Sequence, residues 1–223
     1  MTEQFETGPY VVCPLQYEKA RLHRCGVGKH YNLQLCGMGS AAIWQWSRKA
    51  EIPKGSQVWL AGLAGGLSAE VRAGRAYNIS QVHRQVAVAG QSDLRPPLQA
   101  IAPAATMTSV AQPLVTKSQK AEIYALNQSD LVDMEAVAFA EIAEANGWQW
   151  GVIRGVSDDC HAGLPSILTK AGGPDGQIQI GKLACSLACH PHQLPSVITL
   201  ARNARRSLNA VAASLIATAK SPA

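Results

Sequence analysis

Short apolar runs and helical periodicities alternate along the chain and set out its elements. Tyr10-Val11-Val12-Cys13 is an apolar run stopped by Pro14, which predicts a strand. Gln16 to Arg24 follows with helical character and carries Glu18 in its first turn. Asn32 to Cys36 predicts a second strand, and Gly37-Met38-Gly39 leads from it into a helix from Ser40 to about Lys49. Gln57 to Ala61 predicts a third strand, ending in Gly62-Leu63-Ala64-Gly65-Gly66. Gly74 to Ile79 and Gln85 to Ala89 look like further strands of the same sheet. From Gln91 to Ala105 proline and alanine dominate without a period, which predicts a long loop.

The second half repeats the alternation. A helix is expected from about Ser118 to Leu126. Leu131-Val132 then runs straight into Ala136, Phe139, Ala140 and Ala143, a helical spacing of i, i+3, i+4, i+7. Trp150 to Val156 reads as a buried strand between Gly147 and the acidic turn Ser157-Asp158-Asp159. A Gly/Pro-rich loop follows, containing Gly172-Gly173-Pro174-Asp175-Gly176, and then a helix from Ile180 to Cys189. After a break at Pro191 to Pro195, one long helix runs from Ser196 to about Ala219. Its stripe of Val197, Ala201, Ala204, Leu208, Val211, Ala212 and Leu215 is set to face a core. The alternation gives the α/β class, and no repeat or second domain interrupts residues 1–223. The strand, helix and strand around residue 140 would put Glu135 and Asp158 at the carboxyl ends of neighbouring parallel strands. In open α/β sheets that edge binds ligands.

Charge and composition narrow the function classes. The formal net charge is +5, which invites a nucleic-acid reading. The basic residues are scattered, however, and with five tyrosines and two phenylalanines there is little to stack on bases. No nucleic-acid partner is expected. The one cluster, Arg202, Arg205 and Arg206, reads as a solvated helix face. No apolar run is long enough to span a membrane, and the polar, acidic stretch from Met1 to Tyr10 is unlike a signal peptide. A cytoplasmic location follows as the expectation, with the six cysteines as reduced thiols.

Several motifs invite chemistry. Gly37-x-Gly39-x-x-Ala42 loosely fits a dinucleotide fingerprint, but the region about twenty residues on is Val58-Trp59-Leu60-Ala61, with no acid for a ribose. Its glycines still allow close backbone approach. Gly62-x-x-Gly65-Gly66 at a strand end could expose N–H groups as an anion-binding nest. Cys185, Cys189, His190 and His192 have the residue types of a zinc site without its usual spacing, and no metal is expected. No Gly-x-Ser-x-Gly elbow is present to start a hydrolase triad.

Taken together, the strand ending in Ala64-Gly65-Gly66, the Asp133-Met134-Glu135 run and Arg154-x-x-Ser157-Asp158 resemble the purine nucleoside phosphorylase and nucleosidase superfamily. Pro14-Leu15-x-x-Glu18, Cys36-Gly37-Met38-Gly39, Pro174-Asp175-Gly176 and Gln193-Leu194-Pro195 are similar to the hopanoid-biosynthesis-associated phosphorylases within it. The resemblance implies a three-layer α/β/α fold around a mixed, mostly parallel sheet. It implies cleavage of the N-glycosidic bond of an adenine nucleoside with a 5′ substituent, adenosylhopane for the subgroup. By it, Met134 packs on the sugar, Glu135 accepts its hydroxyls, Asp158 protonates the base, and Ala64, Gly65 and Gly66 line the substrate. Asp158 would need to be largely protonated, with Asp159 next door contributing repulsion, while Asp133 has no assigned role and should point away.

No cofactor is implied, but the nucleophile stays open. Glu18 stands where the phosphorolytic branch commonly has an arginine and nucleosidases have a general base for water, and Leu63 replaces a hydroxyl residue. Both departures lean towards water over phosphate as co-substrate. The base-facing wall is expected between Val110 and Val115, with Leu63, Met38 and Met107 as apolar lining or core. A homo-oligomer is expected, as is peripheral membrane contact through the three arginines if the substrate is lipid-linked. The alternatives are a general purine nucleoside phosphorylase, a methylthioadenosine-type nucleosidase, or a nucleoside-binding protein without turnover.

Overall fold

Alternation along the first strand decides the architecture. In the computed structural model, which describes residues 8–84, 93–164 and 193–221, strand β1 (Tyr10–Cys13) is buried on both faces. Tyr10 and Val12 enter one core, and Val11 and Cys13 enter another. Strands β3 (Gln57–Gly66) and β7 (Gln149–Asp158) follow the same rule. Val58, Leu60, Trp150 and Val152 join the first core, while Trp59, Ala61 and Ile153 join the second. A strand apolar on both sides needs a layer on each.

Helices supply those layers. Helices α2 (Ser40–Ser47) and α4 (Ala136–Asn146) close the first core with Ile43, Phe139 and Ile142. Helices α1 (Gln16–Arg24) and α5 (Leu194–Lys220) close the second with Leu22, Val211 and Leu215. The remaining elements are strands β2 (Asn32–Leu35), β4 (Ala76–Arg84), β5 (Ala104–Ser109) and β6 (Leu131–Asp133), and helix α3 (Lys117–Asn127). The sheet order is β2-β1-β3-β6-β5-β4-β7, and β3 also pairs with β7, so the last five strands close into a ring. The β3–β6 and β4–β7 pairings are antiparallel and the others parallel. This is the mixed, mostly parallel sheet with helices on both sides that the resemblance implies.

The differences from the sequence reading have local causes. Strand β3 does not stop at Ala61: it continues through Gly62 to Gly66, paired with β7 on one side and β6 on the other. Its glycines are therefore strand residues and not a turn, and of the N–H groups expected to meet an anion, that of Leu63 donates to the Glu18 carboxylate. Strand β5 was hidden at the end of the alanine-rich stretch because alanine, threonine and serine give no strong contrast. In the structure Ala105 and Met107 alternate inward. Strands β6 and β7 are not neighbours, since β3 stands between them and runs antiparallel to β6. Helix α5 starts at Leu194, with Pro195 tolerated in its first turn. Its apolar stripe is buried only from Ala204 onward, and Ala201 is exposed. The expected strand at 85–89, the Gly/Pro loop, the helix at 180–189 and the Cys/His cluster lie outside the described residues.

Candidate active site

The turn out of β1 places the first acid. Pro14 ends the strand, and the extended Leu15 caps α1. Glu18, three residues on, folds back so that Oε2 accepts from the Leu15 N–H at 2.8 Å, as the glutamate of a capping box does. Its Oε1 accepts from the Leu63 N–H on β3 at 2.7 Å. The carboxylate is thus clamped between a helix start and the middle of the sheet, at 2 % exposure. Burial raises Glu18 from 4.5 to about 7, against the opposing pull of the Arg154 charge and the two N–H donors, with Glu135 adding repulsion. Gly62 makes the clamp fit: a Cβ there would stand 2.7 Å from both Arg154 Nη1 and Glu18 Oε1.

A second acid pair gathers at the end of β6. Asp133 is buried, accepts from the Ser109 hydroxyl at 2.6 Å and from the Ala136 N–H at 3.0 Å, and pairs with Arg154 Nη2. Asp133 therefore has a role, contrary to the sequence reading. The chain turns directly from β6 into α4, so alternation does not carry it away from Glu135. Glu135 caps α4, and its Oε2 lies 3.2 Å from the same Arg154 nitrogen. Its Oε1 accepts from the Gly39 N–H at 2.7 Å, where α2 begins. Gly39 has φ +82°, a conformation that costs glycine little and other residues more. The Gly37-Met38-Gly39 turn thus brings backbone against a carboxylate, in place of the dinucleotide phosphate its spacing suggests. Burial raises Glu135, then Asp133 repels it, while Arg154 and the Gly39 N–H favour the ionised form.

Arg154 is the centre of this charge cluster and carries 0 % exposure. Burial works against its charge, but Asp133, Glu135 and Glu18 together hold it firmly protonated. Its Nε and Nη1 have no hydrogen-bond partner among the described residues.

Asp158 closes the site from the end of β7. Its Oδ1 lies 2.5 Å from the Ser157 hydroxyl. Its Oδ2 lies 2.5 Å from Nζ of Lys120, which is 1 % exposed on α3. Lys120 also donates to the Asp159 carbonyl at 2.7 Å. The group facing Asp158 is thus an ammonium, and what Asp159 turns towards this pair is its backbone carbonyl rather than a repelling carboxylate.

One cavity of about 330 Å³ joins these walls. Glu18, Glu135, Met134, Ala64, Gly65 and Asp158 all line it, together with Asp133, Lys120 and Ser157. Gly66 does not: it pairs with Leu131, and a Cβ on it would meet Val71 and Asp159. Met38, Leu63, Val110, Pro113 and Leu114 give the cavity apolar walls, while Met107 is fully buried core. Among the described residues no group of His, Cys, Asp and Glu is arranged to hold a metal ion. Lys120 carried little signal in the sequence, and Arg154 was legible as part of the Arg154-x-x-Ser157-Asp158 motif but not as the partner of the buried acids. Lys120 looks like an ordinary helix lysine, and only its place one turn after the capping Thr116 marks it as near the helix start.

Known proteins bear on this geometry. A model of the Phosphorylase superfamily matches residues 103–187. No curated protein sequence matches the chain. Among solved structures, futalosine hydrolase of Helicobacter pylori superposes with a TM-score of 0.66 at 10% identity, covering 96% of this chain and 97% of that one. The 5′-methylthioadenosine/S-adenosylhomocysteine nucleosidase of the same organism gives 0.66 at 11% identity, covering 96% and 98%. The corresponding nucleosidase of Colwellia psychrerythraea, in complex with adenine, gives 0.64 at 13% identity, covering 96% and 94%. The chain therefore has the α/β fold of these nucleosidases, and its segment 103–187 matches the Phosphorylase superfamily.

Proposed function

We propose that this protein cleaves the N-glycosidic bond of an adenine nucleoside bearing a 5′ substituent, with water as the nucleophile. The observation that carries the reading is the shared cavity, which Glu18, Met134, Glu135 and Asp158 all line. A volume of about 330 Å³ falls in the range of small-molecule sites. The transition state of such a cleavage has positive charge on the sugar and negative charge growing on the purine. Glu135, anchored by Arg154 and the Gly39 N–H, would accept ribose hydroxyls and favour the cationic sugar. Met134 offers the sugar an apolar face. Glu18, raised to about 7, is suited to take a proton from water near neutral pH. A phosphate dianion would meet four buried acids, Glu18, Asp133, Glu135 and Asp158, whose cations Arg154 and Lys120 are already paired, which is the reason water is preferred.

The 5′ group is read as bulky and apolar, as in adenosylhopane. Its support is the apolar lining by Met38 and Leu63 and the hopanoid-type motifs. The test is adenine release from adenosine, methylthioadenosine and a 5′-alkyl adenosine, with and without phosphate. Turnover without phosphate, and preference for the alkyl substrate, are the expected results. Strict phosphate dependence with ribose-1-phosphate as product would overturn water attack, and preference for plain adenosine would overturn the bulky substituent.

Asp158→Asn is expected to reduce adenine release by about 10²–10⁴-fold, the range for losing general acid–base help. Near-normal turnover would remove Asp158 from the chemistry. Peripheral membrane contact and homo-oligomerisation complete the reading. Arg202, Arg205 and Arg206 are exposed on α5, and each would contribute about 1 kcal/mol beside anionic lipid. Sedimentation with vesicles of varied anionic content tests the first and light scattering the second.

A further inference from the structure

The group that faces the leaving base is a pair, and its second member is a lysine that the proposed reaction leaves unused. We propose that Lys120 is the source of the proton that reaches the departing purine, and that Asp158 relays it. The inference rests on the reading of the site as a purine nucleosidase.

Donors and acceptors around the pair decide where that proton starts. Asp158 has a donor at each oxygen, the Ser157 hydroxyl at Oδ1 and the Lys120 ammonium at Oδ2, each at 2.5 Å. Oδ2 thus accepts from Nζ, while the Ser157 hydroxyl beside Oδ1 also lies 3.3 Å from the Ala64 carbonyl. The nearest transferable proton is on Nζ. Lys120 is held in position to supply it. Its ammonium is anchored to the Asp159 carbonyl at 2.7 Å, and it is 1 % exposed while still lining the cavity. Lys120 shares the buried face of α3 with Ile123, and a charged lysine there has no packing reason, because burying an ion pair gains little stability over apolar packing.

Atoms and electrons balance in this step. The C1′–N bond breaks with its electron pair on the purine, a proton passes from Nζ to Asp158 Oδ2, and Asp158 gives a proton to the purine nitrogen. Water bonds to C1′ and loses its proton to Glu18. After product release Glu18 loses that proton to solvent and Nζ regains one, so the net change is nucleoside plus water to purine plus sugar.

Two substitutions and two leaving groups test this. Lys120→Met removes proton and charge. Lys120→Arg keeps the charge, but a guanidinium does not give up its proton in proteins. Each is assayed on the 5′-substituted adenosine, whose base needs a proton, and on the 4-nitrophenyl riboside with the same 5′ group, whose phenolate leaves without one. Both variants are expected to lose about 10²-fold or more on the adenosine while holding nitrophenolate release within a few fold of wild type. Equal losses on both substrates would show a structural role and overturn the inference. So would recovery of adenine release in Lys120→Arg, which would leave only charge as the lysine's contribution. If the wild-type protein releases nitrophenolate but no adenine from any adenosine, the purine reading itself fails, and the relay fails with it by a result distinct from either of these.

Discussion

Glu18→Gln is expected to lower kcat for phosphate-independent adenine release by about 10²–10⁴-fold and to flatten its pH dependence. The substitution keeps shape and removes the ability to take a proton. In the wild type, burial raises Glu18 to about 7, so the base form is lost below neutrality. The kcat/KM profile should fall about tenfold per pH unit on the acid side of that value. A residual activity in the variant that still titrates near pH 7 would assign the base to another group. Stability carries the same signature. Because the folded value of about 7 lies above the ordinary 4.5, the native state holds this proton more tightly than the unfolded chain. The contribution is fully present below pH 4.5 and is lost as pH rises through 7. The group therefore costs the folded protein at most about 3 kcal/mol at alkaline pH relative to acid. Glutamine carries no such dependence, but its amide must turn one N–H towards the Leu15 or Leu63 donor. Urea midpoints at pH 6 and 8 for both proteins separate the two effects: the gap between wild type and variant should change with pH.

The parts of this site that were legible in the sequence are those whose local pattern also fixes their direction. Glu18 follows a strand and a proline at capping-box distance, so its place at the mouth of α1 was readable. Asp133-Met134-Glu135 and Ser157-Asp158 stand at ends of apolar runs, and strand ends are where polar groups can face a crevice. Closure of the sheet was not readable. Strand β6 is three residues long, too short for alternation to reveal its partner, and its antiparallel pairing with β3 is set by tertiary packing. That pairing carries Asp133 to Arg154, which sits inside β7 among residues such as Ile153 and Val156 and reads locally as an interruption of a buried strand. The glycine run of β3 misled for a related reason. Glycines in sequence suggest turns, yet Gly62 is small because Arg154 and Glu18 occupy the space beside it. Lys120 was illegible for a third reason: a helix lysine is ordinarily solvated, and only the approach of β7 buries it.

Arg154→Met is expected to be the most destabilising single change in the site. Removing one partner of a buried ion pair costs about 3–5 kcal/mol, because the remaining charge stays buried without compensation. Here Asp133 and Glu135 both lose their cation, and Glu18 loses the charge that opposes its burial. Against a total stability of about 5–15 kcal/mol, the folded fraction at neutral pH should drop sharply. The loss should also depend on pH. With the guanidinium gone, the buried carboxylates resist ionisation in the folded state, so the native form binds more protons than the unfolded chain above about pH 4. Stability of the variant then falls as pH rises, and its urea midpoint should lie closer to wild type at pH 5 than at pH 8. Adding Asp133→Asn to Arg154→Met should restore part of the loss at pH 8, since it removes one of the stranded charges, although asparagine keeps only some of the bonds to Ser109 and Ala136. Equal midpoints for Arg154→Met and wild type at pH 8 would show that the arginine does not hold the acids in place. In the proposed reaction the cluster would matter through the same charges: Glu135 would lie ionised beside a cationic sugar with Arg154 behind it, so fold and proposed chemistry draw on one buried residue.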